Sequence, residues 1–115
     1  MLREVSAGPV EKRLEGILDD IGRLAKILSK RRLLEDLEEY RNRVGDFLKM
    51  YLDDVLDVKE AAGRYGVSRR KHLLVVKRVN VELEELSRLV LGGAPDFEVV
   101  RELDTIQGLL MDLYT

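Results

Sequence analysis

An apolar row in residues 33–56, repeating at alternating steps of four and three, constrains this chain more than any other feature. An α-helix turns once in 3.6 residues, so side chains at such steps share one face. The row consists of Leu33, Leu37, Tyr40, Val44, Phe47 and Tyr51, and a second row of Leu34, Leu48, Leu52 and Val55 widens it. We therefore predict a central helix over residues 33–56, with neighbouring helices on two sides.

The size of the chain suits one domain and its composition excludes several classes of protein. With 115 residues it can bury about two thirds of its unfolded surface. It has no cysteine, which excludes disulfides and thiolate metal sites. No apolar run approaches the roughly 20 residues that cross a bilayer, and the N-terminus lacks the apolar core of a signal peptide. We expect a cytoplasmic protein without a membrane partner.

Apolar spacing predicts a helix before the central one. Residues 1–9 contain a Gly-Pro pair and no periodicity, which predicts a flexible leader followed by a single helical domain over residues 10–115. The first helix begins near Val10, and Ser29 is the candidate cap between it and the central helix. A short connection makes the two helices antiparallel neighbours. The apolar row of the first helix is Leu14, Ile17, Ile21, Leu24 and Leu28.

Two further helices are predicted in the second half of the chain. Asn80 is a candidate N-cap for a helix over residues 81–91, which Gly92 and Gly93 end. Asp96 is the candidate cap of a last helix over residues 97–113. Its apolar row is Val99, Leu103, Ile106, Leu110 and Leu113, and the glycines within predicted helices, Gly16, Gly22 and Gly108, predict close helix crossings.

The segment between the central and third helices leaves two interpretations open. Residues 56–61 alternate and residues 71–78 are rich in β-branched valine, which favours a short β-hairpin. Alternatively, the central helix continues to Ala62, Gly63 caps it, and another helix begins near Ser68. In either case the fold class is mainly α, a four-helix bundle-like domain.

Three stretches together resemble a known family. They are the central residues Leu37, Tyr40, Val44, Phe47 and Leu48, the stretch VKRVNVELEEL at 76–86, and the ending IQGLLMDLY at 106–114. In order and spacing they are similar to the YaaR-like family of uncharacterised bacterial proteins. This resemblance implies a small, cytoplasmic, mainly helical protein, and it brings no catalytic residue because the family has no assigned activity.

One strongly basic segment is the clearest candidate for function. Residues 61–80 carry a net charge of +6, whereas residues 33–60 and 81–115 carry −5 and −6. Such a segment predicts contact with an acidic partner, either nucleic acid or an acidic protein surface, and it can alternatively pair with the acidic helices beside it. The candidate partner-binding residues are Arg64, Tyr65, Arg69, Arg70, Lys71, Lys77 and Arg78.

Acidic residues raise an alternative from another class, a carboxylate-dependent helical nucleotide pyrophosphohydrolase. Such enzymes hold Mg²⁺ between inward carboxylates of facing helices. The acids here, Glu35, Asp36, Glu38, Glu39, Asp53, Asp54 and Asp57, lie mostly opposite the apolar row. His72 is the only histidine and has no second nitrogen or thiolate ligand beside it. We therefore predict a non-enzymatic interaction module with no catalytic residue, metal or cofactor.

Surplus apolar residues on the central helix suggest self-association. If four helices do not cover both apolar rows, the remainder forms a surface for a homodimer or another partner. Leu34, Leu48 and Leu52 are the candidate residues.

Overall fold

The computed structural model describes residues 2–57 and 69–115, with side chains from residue 8 onward. These residues form four α-helices and no strand. They are α1 (Leu2–Arg31), α2 (Leu34–Met50), α3 (Arg69–Leu91) and α4 (Asp96–Tyr114), and α2 continues into a π-helical turn (Tyr51–Val55). The prediction of a mainly α fold is confirmed.

The four helices form an up-and-down antiparallel bundle made of two hairpins. In the first hairpin, Arg31 contacts Asp36 near the turn, and Arg43 of α2 reaches back to Asp20 of α1. The hairpin α3–α4 is packed as closely, and α1 also packs on α4. No helix in the described part of the chain has the length and apolar character that a membrane span needs.

The predicted central helix supplies the middle of the core. Leu37, Tyr40, Val44, Phe47 and Tyr51 are all buried, and the predicted row of α4 is buried throughout. Their removal from water is the main force that holds the bundle together. Leu33 is exposed because it precedes the first turn of α2, so the apolar row of the helix itself begins at Leu37.

The start of the first helix and its cap were wrongly predicted. Helix α1 begins at Leu2 and includes Pro9, although a proline inside a helix loses one backbone hydrogen bond and crowds the carbonyl four residues earlier. Ser29 lies inside α1, where its hydroxyl donates to the Lys26 carbonyl. The flexibility of residues 1–9 stays a prediction.

Helix α2 is capped in a different way from the one predicted. Its N-cap is Leu33, which has no side chain able to accept a hydrogen bond. Three residues later, the Asp36 carboxylate lies near the Leu33 backbone N–H, which contributes to the lowered pKa of this acid and is the position of the acid in a capping box. Asp36 does not replace an N-cap side chain, because such a side chain would accept from the N–H groups of the first turn.

The β-hairpin was wrong in the half that the structure describes. Residues 71–78 lie in α3, and Asn80 is an exposed residue inside this helix rather than its N-cap. The reason is that Val76, Val79 and Leu83 continue one buried helical row across Asn80, and this burial overrides the preference of valine for strands. The other half of the hairpin was residues 56–61, of which 56 and 57 are helical and 58–61 lie outside the described residues.

The predicted stop after α3 is confirmed in detail. Gly93 has a φ of +70°, a left-handed conformation that glycine adopts without strain. Its N–H donates to the Val90 carbonyl at 3.2 Å, and the Ala94 N–H donates to the Leu89 carbonyl at 2.9 Å. These two bonds form a Schellman motif, which satisfies carbonyls that the helix end leaves free.

Two smaller predictions fail. Asp96 is the first helical residue of α4 rather than its cap, which is Pro95, and its carboxylate instead contacts Arg32 in the other turn. Gly16, Gly22 and Gly108 mark no close crossing, because a Cβ at any of them would meet no heavy atom within 4 Å. The neighbouring helices lie beside other faces of α1 and α4.

Candidate interaction surface

The predicted basic segment falls on the first half of α3. Arg69, Arg70, Lys71, Lys77 and Arg78 all lie in this helix and are exposed. Residues 69–80 contain no acid. The remaining predicted residues, 64 and 65, lie outside the described part of the chain. The structure therefore displays five of the predicted cations along about three helical turns.

Two of these cations are tied to acids and two are not. Arg69 pairs with Asp57 at 2.5 Å, and Arg78 pairs with Glu82 one turn along the same helix at 2.7 Å. Within residues 2–57 and 69–115, Arg70 and Lys77 make no ion pair. The alternative in which the acidic helices neutralise the whole segment is therefore not realised at Arg70 and Lys77 within the described residues.

Arg70 and Lys77 share one outer row of α3. A residue seven positions further along a helix lies on nearly the same face. The two residues between and beyond them on this face are Leu74 and Val81, which are 60% and 55% exposed. Lys71 and Arg78 each come one residue after Arg70 and Lys77, so they lie about 100° round the helix from this face, on the side of α4. We call Arg70, Leu74, Lys77 and Val81 the outer row.

His72 anchors the beginning of α3 to the π-helical turn of α2. Its ring stacks on the ring of Tyr51, with centroids 5.8 Å apart and planes 9° apart, and its Nδ1 contacts the Tyr51 hydroxyl. The Tyr51 side chain is buried, and burial raises its pKa to about 12. This half-buried histidine holds the basic half of α3 against the bundle.

A carboxyl pair on the other side of α3 was missed by the sequence analysis. Glu82 of α3 and Glu102 of α4 share a hydrogen bond, which requires one proton between them. Burial, then the contact with Glu82, raises the pKa of Glu102 to about 7. The contact with Glu102, then that with Arg78, lowers the pKa of Glu82. The pair therefore holds a proton near neutral pH.

Two buried polar atoms at this site, one of them in the pair itself, have no hydrogen-bond partner in the described part of the chain. Among the described residues, neither Oε2 of Glu102 nor the hydroxyl of Tyr40 has a hydrogen-bond partner, and both atoms are buried. Burial, and secondly the charge of Glu102, raises the pKa of Tyr40. One sequence signal could have found the site, because Glu102 lies beside the buried row of α4, one turn from Val99 and from Ile106.

The acids singled out in α2 form no metal centre. No three acidic, imidazole or thiolate side chains in residues 8–57 and 69–115 are arranged to hold a metal ion. Asp36 is the buried exception among these acids, and Arg31 donates to both its oxygens, at 2.7 and 3.1 Å. The Arg31 guanidinium holds the pKa of Asp36 below its usual value. This acid therefore serves the α1–α2 turn.

A broad groove runs between α1 and α2, away from the basic segment. It is open, has a volume of about 730 Å³, and has Ile17 and Met50 among its lining residues. Charges of both signs line it, among them Arg43 paired with Asp20 and with Asp46. Its mixed charge does not select one class of ligand.

The residues predicted for self-association do not form one surface. Leu48 is buried inside the bundle, so it was wrongly placed on a surface. Leu52 is half-buried, and Leu34 is 57% exposed at the start of α2. A homodimer stays a prediction, with Leu34 as the remaining exposed candidate.

Comparisons with known proteins agree with the resemblance found in the sequence. The uncharacterised protein YaaR of Bacillus subtilis is 30% identical over 105 residues, which cover 89% of this chain and 70% of that protein. The crystal structure of an uncharacterised protein of Bacillus halodurans superposes with a TM-score of 0.87 at 26% identity, covering 97% of this chain and 92% of that one.

A second solved structure shares the fold alone. Moevan, a designed granulopoietic protein made by topological rescaffolding, superposes with a TM-score of 0.82 at 23% identity, covering 94% of this chain and 93% of that one. Residues 1–114 match the family described as "Protein of unknown function (DUF327)". Together with the similarity to YaaR, this match shows that the chain belongs to that YaaR-like family of proteins of unknown function.

Proposed function

We propose that this protein is a non-enzymatic interaction module whose bundle presents the basic first half of α3 to an acidic partner. One observation carries the proposal: Arg70 and Lys77 are exposed and unpaired within the described residues, on a stretch of helix that has no acid. Exposed cations on a rigid helix attract acidic surfaces without further ordering of the backbone, which lowers the cost of binding.

The scaffold supports this role because the basic half of α3 is anchored to the bundle at its first turn. Arg69 contacts Asp57, and His72 stacks on the buried Tyr51. The cations therefore stand at defined positions. The hydrolase alternative has no carboxylate cluster in its favour within the described residues.

The test is a binding titration with acidic probes against matched charge variants. A labelled oligoglutamate peptide and labelled DNA and RNA are titrated at about 50 mM and about 200 mM salt, because contacts with cations weaken as salt rises. Arg70→Glu with Lys77→Glu should abolish binding. Lys12→Glu with Lys26→Glu, which makes the same charge change at exposed positions of α1, should leave it nearly unchanged.

Two results would overturn the proposal. In the first, none of the acidic probes binds the unaltered protein at the lower salt concentration. In the second, the two double variants lose binding to the same extent, which would show attraction to total charge rather than to α3.

A further inference from the structure

We infer that the partner of this surface is an acidic amphipathic helix of another protein, which packs lengthwise along the outer row of α3. This inference rests on the proposed function and narrows it to one class of partner. The outer row repeats at steps of four, three and four, as Arg70, Leu74, Lys77 and Val81. That is the spacing at which one helix receives the side chains of another.

The apolar members of the row are the first reason to expect a helix. Leu74 and Val81 are each more than half exposed, although α3 already buries its opposite face in the core. The helix therefore has apolar residues on two faces, and only those of the inner face are covered in the described structure. Covering two branched aliphatic side chains favours a partner that brings its own apolar row.

The charges around the row define the chemistry of that partner. Arg70 and Lys77 alternate with the two apolar residues, and Arg78 flanks them. Further along the same helix the charge changes sign at Glu84 and Glu85, and Arg88 pairs with Glu85. The partner therefore needs acids beside its apolar row along the first three turns of α3, and a net negative charge there.

The same residues favour protein over nucleic acid. Phosphates are bound by hydrogen-bond donors and positive charge, and the exposed aliphatic side chains of Leu74 and Val81, which make up half of the row, offer them neither. From Arg70 to Val81 the row is about 16 Å long at 1.5 Å per residue. This length matches three turns of a partner helix.

The experiment compares an amphipathic probe with a scrambled peptide of the same charge and with a nucleic acid. The probe is a helical peptide of about 14 residues, roughly four turns, with leucines at alternating steps of three and four and glutamates beside them. One control peptide has the same composition in scrambled order, and the other control is single-stranded DNA. Affinities are measured for the full chain, with circular dichroism and thermal unfolding to confirm folding.

Removing the apolar residues of the outer row while keeping its charges separates docking of a helix from simple attraction to an acidic partner. Leu74→Ser with Val81→Ser should weaken binding of the amphipathic peptide at least about tenfold and leave binding of the scrambled peptide unchanged. Leu91→Ser, at a residue 68% exposed on α3 but off the outer row, is the matched control and should change neither.

Each contrary result has one meaning. If the serine double variant binds the amphipathic peptide as tightly as the unaltered chain, the helix-docking inference fails while the acidic-partner proposal stands. If DNA binds more tightly than the peptide and ignores the serine substitutions, the partner is nucleic acid and the inference is likewise wrong. If no acidic probe binds, the proposed function itself fails.

Discussion

The two hairpins of the bundle solve the same structural problems with different residues. Each turn contains a residue in the left-handed conformation, which is Arg32 with a φ of 49° between α1 and α2 and Gly93 between α3 and α4. Each hairpin also holds an acid away from full exposure, the buried Asp36 beside Arg31 in the first and the half-buried Glu102 beside Glu82 in the second. The comparison teaches that the surroundings decide the charge of a carboxyl. The hydrogen bonds from Arg31 favour the charged form of Asp36, whereas burial and then the neighbouring Glu82 favour the protonated form of Glu102.

Arg32 explains why the first turn tolerates a side chain in a strained conformation. Its guanidinium contacts the Asp96 carboxylate and donates to the Ala94 carbonyl at 3.4 Å, so it joins the two turns at one end of the bundle. Glycine at this position would relieve the backbone and lose these contacts. The second turn has no such task and contains glycine.

The largest expected effect tests whether the hairpins are separate units at all. Phe47 of α2 and Ile106 of α4 are both fully buried in the shared core. Phe47→Ala should lower the free energy of unfolding by about 3–5 kcal/mol and Ile106→Ala by about 2–5 kcal/mol, from lost burial and the cavities left behind. Because the core is shared, urea denaturation should show one transition in each variant.

Hydrogen exchange can contradict the prediction that the two hairpins unfold together. If Phe47→Ala accelerates exchange throughout α1 and α2 and leaves α3 and α4 protected, the hairpins unfold independently. Met111→Ala, which truncates a more exposed side chain of α4, is the control and should have a much smaller effect.

The second prediction concerns Glu102 and Asp36, whose contributions to the free energy of unfolding change with pH in opposite directions. From pH 4.5 to about 7 the folded protein keeps a proton on Glu102 that the unfolded chain releases, so the free energy of unfolding falls as pH rises. The full shift corresponds to about 3 kcal/mol at about 1.4 kcal/mol per pKa unit. Because Glu102 is only half-buried and solvent screens its interactions, we expect a loss of about 2 kcal/mol, which Glu102→Gln should remove. Urea denaturation at a series of pH values measures it.

Asp36→Asn is the matched comparison in the first hairpin. The pKa of Asp36 is lowered in the folded state, so the stability from this acid is present above its usual value of 3.8 and is lost as pH falls through the folded value. The asparagine variant should be less stable than the unaltered protein at neutral pH and lose this difference in acid. An equal slope between pH 4.5 and about 7 in the unaltered chain and in Glu102→Gln would contradict the comparison.

The smallest effect distinguishes the two turns. Gly93→Ala should lower the free energy of unfolding by about 1 kcal/mol, because a Cβ is disfavoured at positive φ although no neighbour obstructs it. At position 32, Arg32→Gly should be about 1 kcal/mol more stable than Arg32→Ala, since both lose the contacts of the arginine and only glycine relieves the backbone. Equal stabilities for these two variants would show that the first turn is unstrained.

Local patterns predicted the helices well and their connections poorly. The buried rows of α2 and α4 and the stop at Gly92 and Gly93 were confirmed, because periodicity and left-handed glycine act within a few residues. Ser29, Asn80 and Asp96 were each wrong as caps. A capping residue competes with the burial of neighbouring turns, and the sequence does not show that Val79 and Leu83, on the two sides of Asn80, are both buried.

The candidate surface was predicted in part for the same reason. The run of cations was visible in the sequence, and those at residues 69–78 lie at exposed positions of α3. Their contact with a partner stays a prediction. The alternation of cations with exposed Leu74 and Val81 was not predicted, because residues 71–78 were also interpreted as a strand. The Glu82–Glu102 pair was not predicted either. The two glutamates are twenty residues apart in the chain and meet only because α3 and α4 lie side by side.

By itself, the sequence determined that this protein is helical, where its apolar rows lie, where α3 ends and which family it belongs to. The tertiary structure decided which apolar face of α3 is covered, which acid faces a cation and which faces another acid, and how Arg32 joins the two turns. The physical reason is range: helical periodicity is set by neighbours in the chain, whereas burial and charge pairing are set by residues that only the packed bundle brings together.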